Sequence, residues 1–168
     1  TSTSMGKRRL KTWIEQPLTN PVTITKRLDS VEELVKNPTT LFELCDSLRG
    51  IYDLERLMSR IVYKAASPRD IFALGKTCGA IPTVKAQLAG LSSPLFKQLD
   101  NNVCELSDIA ALVQNSISDE PPNSIKDGNV IKKGFNDELD RFRKIAKGGR
   151  EVLGEIEERE RTETGIRT

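Results

Sequence analysis

The sequence of 168 residues contains no histidine. This absence excludes Ser-His and Cys-His nucleophile–base pairs and metal sites with imidazole ligands. The carboxylates stand mostly beside basic residues along predicted helices, which is typical of solvent-exposed faces rather than of an acid–base pair. We therefore predict no catalytic residue, and an enzyme that uses carboxylates alone is the least favoured alternative.

Cysteine is also scarce. Cys45, Cys78 and Cys104 are odd in number and far apart, which favours reduced core or semi-core residues over disulfides or a metal site. The glycines do not form a phosphate-binding loop, because Gly128 and Gly134 are one residue too far apart and the required lysine is missing. The sequence thus predicts no metal and no cofactor bound by this chain.

Long apolar runs and an excess of one charge are absent too. No run approaches the roughly 20 apolar residues that span a bilayer, and the first residues lack the apolar segment of a signal peptide, so we expect a cytoplasmic protein. Basic and acidic residues number 26 and 24, so no overall positive field would attract nucleic acid. Any role with DNA must be local or indirect.

Because Met5 is internal, the start reads as the inside of a longer gene product.

The sequence does have helical periodicity in segment after segment, while alternation of period two is nearly absent. This pattern predicts an all-α fold, an irregular bundle of many helices. Asn20-Pro21, Asn37-Pro38 and Ser67-Pro68 each supply an N-cap followed by a proline in the first turn. Asp53 can cap a further helix, and Pro82 should bend or interrupt the helix that follows Ser67.

Each of these helices carries apolar residues at spacings of three and four, which should form its buried stripe. The stripes are Ile24, Leu28, Val31 and Val35; Leu41, Leu44, Cys45 and Leu48; Leu54, Leu57, Met58, Ile61 and Val62; Ile71, Leu74, Cys78 and Ile81; and Leu106, Ile109, Val113 and Ile117.

The C-terminal part differs from the rest. Residues 118–134 form the one real loop, with a short extended piece at residues 130–131. Residues 137–164 predict one long exposed helix, and Gly148 and Gly149, each costing about 1 kcal/mol relative to alanine, are its candidate hinge. Its narrow apolar seam is Leu139, Phe142, Val152, Leu153 and Ile156, and its acid–base pairs are Asp137/Arg141, Asp140/Lys144, Glu155/Arg159 and Glu157/Arg161.

The strongest basic cluster is Lys7, Arg8, Arg9 and Lys11, close to Trp13. One interpretation is a contact with nucleic-acid phosphates. The favoured interpretation is structural, a helix whose cationic side chains cover apolar surface or pair with acids elsewhere. Leu10, Trp13 and Ile14 would then form its buried face.

Several motifs, in their order along the chain, resemble the MutS family. Ile24, Arg27, Leu28 and Asp29 match a family stretch closely, with Ser30 where the family has alanine. Asn20 stands where an aspartate is usual, and Glu163 is inserted near the end. Further family-like motifs lie in residues 1–18, 53–61, 67–70, 131–140 and 157–166, so the resemblance covers essentially the whole chain.

The resemblance implies a helical core and connector bundle over residues 1–136 and a descending lever helix over residues 137–168, truncated where a DNA clamp begins. In the intact family member, such a part couples mismatched-DNA binding to ATP binding and hydrolysis. Also implied for the intact protein are ATP and Mg²⁺, a homodimer, mismatched double-stranded DNA, a MutL-type repair partner and a nucleoid-associated location. The chain itself would be structural and allosteric, without an ATPase site.

An alternative is a stand-alone helical adaptor that binds a protein partner through its charged terminal helix. A phosphate loop encoded downstream and a mismatch-reading domain encoded upstream in the same gene would exclude it.

Overall fold

The computed structural model describes the backbone of residues 1–165 and the side chains of all of these except residues 150–152 and 155. Within that range the chain forms α-helices, one 3₁₀ turn and no strand, which confirms the predicted all-α class. Two units result, Thr1–Val130 and the part that begins at Ile131. The helices are α1 (Ser4–Glu15), α2 (Pro21–Lys36), α3 (Pro38–Arg49), α4 (Leu54–Val62), α5 (Pro68–Ala89), α6 (Pro94–Asn102), α7 (Ser107–Ser116) and α8 (Asp137–Thr164), and the 3₁₀ turn is Ile125–Asp127.

The helices begin where the capping residues predict. The Asn20 side chain accepts a hydrogen bond from an amide of the first turn of α2 at 2.9 Å. Asp53 does the same for α4 at 3.3 Å, and Ser67 and Asp70 form a reciprocal capping box at the start of α5. These side chains satisfy amides that have no partner within the helix.

Helix α5 is central in the first unit, since it contacts α3, α4, α6 and α7. The predicted interruption at Pro82 does not occur, because α5 continues to Ala89. Proline removes the amide that would bond to the carbonyl of Cys78. The neighbouring helices on several sides of α5 hold it in register through the turn that lacks this bond.

The closest approach in the first unit joins α5 to α7. A Cβ atom placed on Gly75 would stand 2.6 Å from the Cβ of Val113 and would also collide with its Cγ1. Gly75 and Val113 are both buried. One turn later, a Cβ atom on Gly79 would meet the Cβ of Ala110 at 4.0 Å, an ordinary contact.

These two glycines give a matched pair of variants. We expect Gly75→Ala to destabilise the chain by about 1–3 kcal/mol, because the added methyl overpacks the interface with Val113. Gly79→Ala should be neutral or stabilise by up to about 1 kcal/mol, because alanine is the better helix former. Urea unfolding followed by circular dichroism measures both. Equal effects of the two substitutions would contradict the close packing at Gly75.

A second centre of packing brings α2 and the end of α5 onto α6. Leu88, Leu91 and Phe96 are buried there. The hydroxyls of Ser30 and Ser93 share a hydrogen bond of 2.8 Å. These residues are flanked by the partly buried Leu34, Val84 and Val103.

Glu33 supplies a cap for α6 from another helix. Its carboxylate accepts hydrogen bonds from the amides of Ser92 at 2.5 Å and Ser93 at 2.8 Å. The bond from the Ser92 amide is the main cause of a pKa for Glu33 below its ordinary value. A carboxylate at this position also suits the positive end of the helix dipole.

The predicted buried stripe of α2 is wrong. Leu28, Val31 and Val35 are 61%, 58% and 68% exposed, and Ile24 is exposed as well. The residue of α2 that is buried is Ser30. Periodicity identified an apolar face, but the neighbours within this chain pack against the side that carries Ser30 and Leu34. The buried stripes predicted for α3 and α5 are confirmed in part, since Leu44 in α3 and Cys78 in α5 are buried.

The loop after α7 is held at several points. The amide of Ser118 donates to the carbonyl of Val130 at 2.9 Å, and Nε of Arg69 donates to the carbonyl of Pro121 at 3.1 Å. Gly128 and Asn129 have positive φ angles of 72° and 54°. No strand forms at residues 130–131, but Ile131 belongs to an isolated β-bridge, so the expected short extended piece is present in that limited form.

All three cysteines are free thiols. Cys45 is half-buried, but Cys104 is exposed, so the predicted core or semi-core placement is wrong for Cys104. Cys78 is fully buried, and burial raises the pKa of its thiol. Among the described residues, no group of three or more acidic, cysteine or histidine side chains is placed to hold a metal ion. None of the described helices combines the length and the apolar character needed to cross a bilayer.

Candidate functional site

The structure divides the basic cluster of α1. Arg8 faces α4, where its two terminal nitrogens lie 2.5 Å and 2.8 Å from the carboxylate oxygens of Asp53. The same guanidinium also pairs with Glu55. Lys11 lies 3.6 Å from Glu15 on its own helix, and Lys7 and Arg9 are exposed. Arg8 is therefore committed to a contact within the chain, while Lys7, Arg9 and Lys11 remain exposed.

Asp53 is the centre of this junction. It caps α4 and accepts hydrogen bonds from both terminal nitrogens of Arg8. It also accepts a hydrogen bond from the Ser4 hydroxyl at 3.1 Å. Its side chain is only 15% exposed. The hydrogen bonds from Arg8 hold the pKa of Asp53 well below its usual range. With both partners held in their charged forms, this pair joins helices and is unsuited to proton transfer near neutral pH.

Helix α1 has no buried residue. The expected buried face of Leu10, Trp13 and Ile14 is wrong, since these side chains are 46%, 40% and 72% exposed. Instead, the guanidinium of Arg27 in α2 lies 3.7 Å from the centre of the Trp13 ring, a cation–π contact. Polar and cation–π contacts, rather than a buried apolar stripe, therefore dock α1.

Asp53→Asn should lower the thermal stability of the chain at neutral pH. Because the pKa of folded Asp53 is below its unfolded value of about 3.9, its contribution is present above that pH and is lost as the pH falls through the folded value. The difference in Tm between wild type and variant should therefore shrink below about pH 4. Thermal unfolding as a function of pH measures this difference.

Asp46→Asn is the matched control, because Asp46 pairs with Arg49 at 3.4 Å with both side chains largely exposed. Such a surface pair contributes little. A difference for Asp53→Asn that is independent of pH, or equal to that of the control, would contradict the role of the ion pair.

A second polar network lies at the start of α8. The carboxylate of Asp140 accepts a hydrogen bond from the amide of Gly134 at 2.6 Å and pairs with Arg143 at 2.8 Å. Arg143 in turn donates to the carbonyl of Ile131 at 2.8 Å. The bond from the Gly134 amide, followed by Arg143, lowers the pKa of Asp140. The first turns of α8 are thereby tied to the segment that precedes them.

The sequence-predicted pairs along α8 are found only in part. Glu157 and Arg161 lie 3.3 Å apart, as expected. Asp140 pairs with Arg143 at three residues instead of with Lys144 at four, because Arg143 also reaches the Ile131 carbonyl. Glu155, predicted to pair with Arg159, lies outside the described side chains, as does Val152 of the apolar seam. The other seam residues are the half-buried Leu139 and the exposed Phe142, Leu153 and Ile156.

The candidate hinge lies within a continuous helix. Helix α8 runs through Gly148 and Gly149 without a break. A Cβ atom on either glycine would meet no other atom within 4 Å, and the same holds for Gly154 further along the helix. Alanine can therefore be introduced at all three positions without a steric clash.

Residues 1–164 match a family model described as MutS domain III. This chain belongs to that family. It is 46% identical over 167 residues to the DNA mismatch repair protein MutS of Caldicellulosiruptor bescii, a match that covers 99% of the chain and 19% of that relative. The protein of the same description from Clostridium tetani is 42% identical over 167 residues, which again cover 99% of the chain and 19% of the relative.

The chain thus spans about a fifth of the length of the MutS relatives that it matches, 19% in the two cases above. The match covers essentially the whole chain, as does the resemblance seen in the sequence. Within this MutS domain III, the residue that sequence reasoning missed is Arg143, which pairs with Asp140. Its signal is the spacing of three residues on a helix, which brings side chains together as readily as the spacing of four.

Proposed function

We propose that this chain is the helical core and lever part of a MutS-type mismatch repair protein. In the intact protein it couples the binding of mismatched double-stranded DNA to the binding and hydrolysis of ATP with Mg²⁺ in another domain. The chain itself performs no chemistry. The family match over residues 1–164 carries this proposal, and the description of the relatives as DNA mismatch repair proteins supports it.

The proposal extends to the assembly and partners of the intact protein, namely a homodimer and a MutL-type repair protein. It also keeps the division of roles predicted from the sequence, with residues 1–136 as core and residues 137–168 as lever. Both remain predictions that follow from membership of the family.

The form of α8 supports a role in transmission. Its 28 residues correspond to a length of about 42 Å at 1.5 Å per residue. The Asn136 side chain caps its first turn by accepting a hydrogen bond from the amide of Leu139 at 2.8 Å. The hydrogen bonds of Asp140 fix its N-terminal turns. A helix anchored at one end can carry a movement along its length, and rigid segments that turn about a weak point are a common element of conformational switches.

Coupling further requires an element that has two arrangements. Both DNA binding and ATP binding must shift the equilibrium between them. Gly148 and Gly149 are the weakest point of α8, since each glycine costs about 1 kcal/mol relative to alanine. We propose that a change in direction of α8 at these residues accompanies the change in ATP state.

The test is the double variant Gly148→Ala and Gly149→Ala in the full-length protein. The factor by which ATP changes the affinity for a mismatched duplex should fall several-fold towards one, because alanine stiffens the helix at the hinge. Fluorescence anisotropy with a labelled mismatched duplex, with and without ATP and Mg²⁺, measures this factor.

Gly154→Ala is the control, since it raises helix propensity in the same helix without touching the proposed hinge. It should leave the factor unchanged. Equal coupling in wild type, double variant and control would remove the two glycines from the mechanism. Absence of any preference for mismatched DNA in the wild-type protein would overturn the proposed function itself.

A further inference from the structure

Helix α1 is joined to the rest of the first unit by polar and cation–π contacts and not by burial. No residue of α1 is buried. The hydrogen bonds, ion pairs and ring contacts that link it to other described helices involve three of its residues, Ser4, Arg8 and Trp13. A helix docked in this way lacks the apolar burial that supplies most of the free energy of helix packing.

The contacts of α1 reach two different helices. Arg8 donates to the carboxylate of Asp53, the capping residue of α4, at 2.5 Å and 2.8 Å, and Ser4 donates to the same carboxylate. The ring of Trp13, more than one turn further along α1, lies 3.7 Å from the guanidinium of Arg27 in α2. Helix α1 therefore bridges α4 and α2, and we call residues 4–15 the strap.

The two helices that the strap bridges have other packing partners. Helix α4 packs on α5, and α2 packs on α3 and α6. In α2, the hydroxyl of Ser30 shares a hydrogen bond with that of Ser93 at the start of α6. In α4, Leu57 is buried, although the strap contributes no buried side chain. Release of the strap therefore leaves the packing of α2 and α4 in place.

The strap is also complete in itself. Thr3 caps its first turn by accepting a hydrogen bond from the amide of Gly6 at 3.0 Å. The amide of Gln16 closes its last turn on the carbonyl of Thr12 at 2.8 Å. Residues 17–19, which connect it to α2, are exposed and form no hydrogen bond with other described residues. A rotation in this connection moves the strap without breaking a bond.

We propose that the strap is releasable. Residues 4–15 leave α4 and α2 together while the rest of the first unit stays folded, and the pair of Arg8 with Asp53 controls the equilibrium between the docked and the released strap. Local opening of this kind is typical of segments with few buried apolar contacts. The proposal follows from contacts within this chain and does not depend on the proposed function.

Hydrogen exchange of the full-length protein, followed by mass spectrometry, tests the strap. A helix of 12 residues is marginal by itself in water, so a released strap exchanges its amides. Peptides from α1 should exchange at least about tenfold faster than peptides from α5. Arg8→Gln should accelerate exchange in α1 about tenfold further, because a bidentate charge-assisted pair is lost, and should leave α5 unchanged.

Lys7→Gln is the matched control, since it removes a cation from the exposed position next to Arg8. It should leave exchange in α1 unchanged. Arg8→Lys keeps the charge but not the fork, so its effect should be smaller than that of Arg8→Gln. Trp13→Leu removes the cation–π contact with Arg27 and should also accelerate exchange in α1 alone, which provides a second test if Arg8→Gln does not fold.

Equal protection of α1 and α5 in the wild-type protein would overturn the proposal, because α1 would then open only when the whole unit unfolds. The same conclusion would follow if Arg8→Gln or Trp13→Leu accelerated exchange in α5 as much as in α1. Equal effects of Lys7→Gln and Arg8→Gln would also overturn it, since the pair with Asp53 would then not control release.

Discussion

The first unit depends on the absence of a side chain at Gly75. Because nothing projects there, α7 packs directly against α5 through Val113. Two residues further along α5, the hydroxyl of the fully buried Thr77 accepts a hydrogen bond from the amide of Tyr52 at 3.1 Å. This bond holds the segment before α4, and the next residue, Asp53, is thereby placed to cap α4 and to receive Arg8. The position of α1 is thus linked, through backbone and ion pair, to a close approach in the core.

Local signals predicted the fold well, and tertiary contacts decided the rest. Asn20, Asp53 and Ser67 marked the helix starts because capping depends on residues within one turn. The buried face of α2 was not predictable in the same way, since Leu28 and Val31 form a regular apolar stripe that is exposed within this chain. A stripe shows that a helix is amphipathic, but it does not identify the neighbour that covers it. Pro82 shows the same limit, because contacts on several sides of α5 outweigh one lost hydrogen bond.

The candidate site was predictable where charges are contiguous in sequence and not where they converge in space. Lys7 to Lys11 formed an obvious cluster, yet Arg8 is committed to Asp53, 45 residues away. Gly134 and Arg143 lie in a loop and in a helix that were predicted as separate features, and Asp140 accepts a hydrogen bond from each of them. Gly148 and Gly149 were found readily because glycine pairs within a helix are conspicuous, and the open space around them is what the structure adds.

The cap that Glu33 provides has a consequence for the order of folding. Ser93, the residue at the N-cap position of α6, makes no capping bond to its own helix, since its hydroxyl is engaged with Ser30. The carboxylate that serves α6 instead comes from α2, 59 residues earlier than Ser92. A nine-residue helix is too short to be stable alone in water. Helix α6 therefore forms only once a long chain segment has closed to bring α2 against it, so its acquisition of structure is a late, non-local event that raises the contact order of the unit.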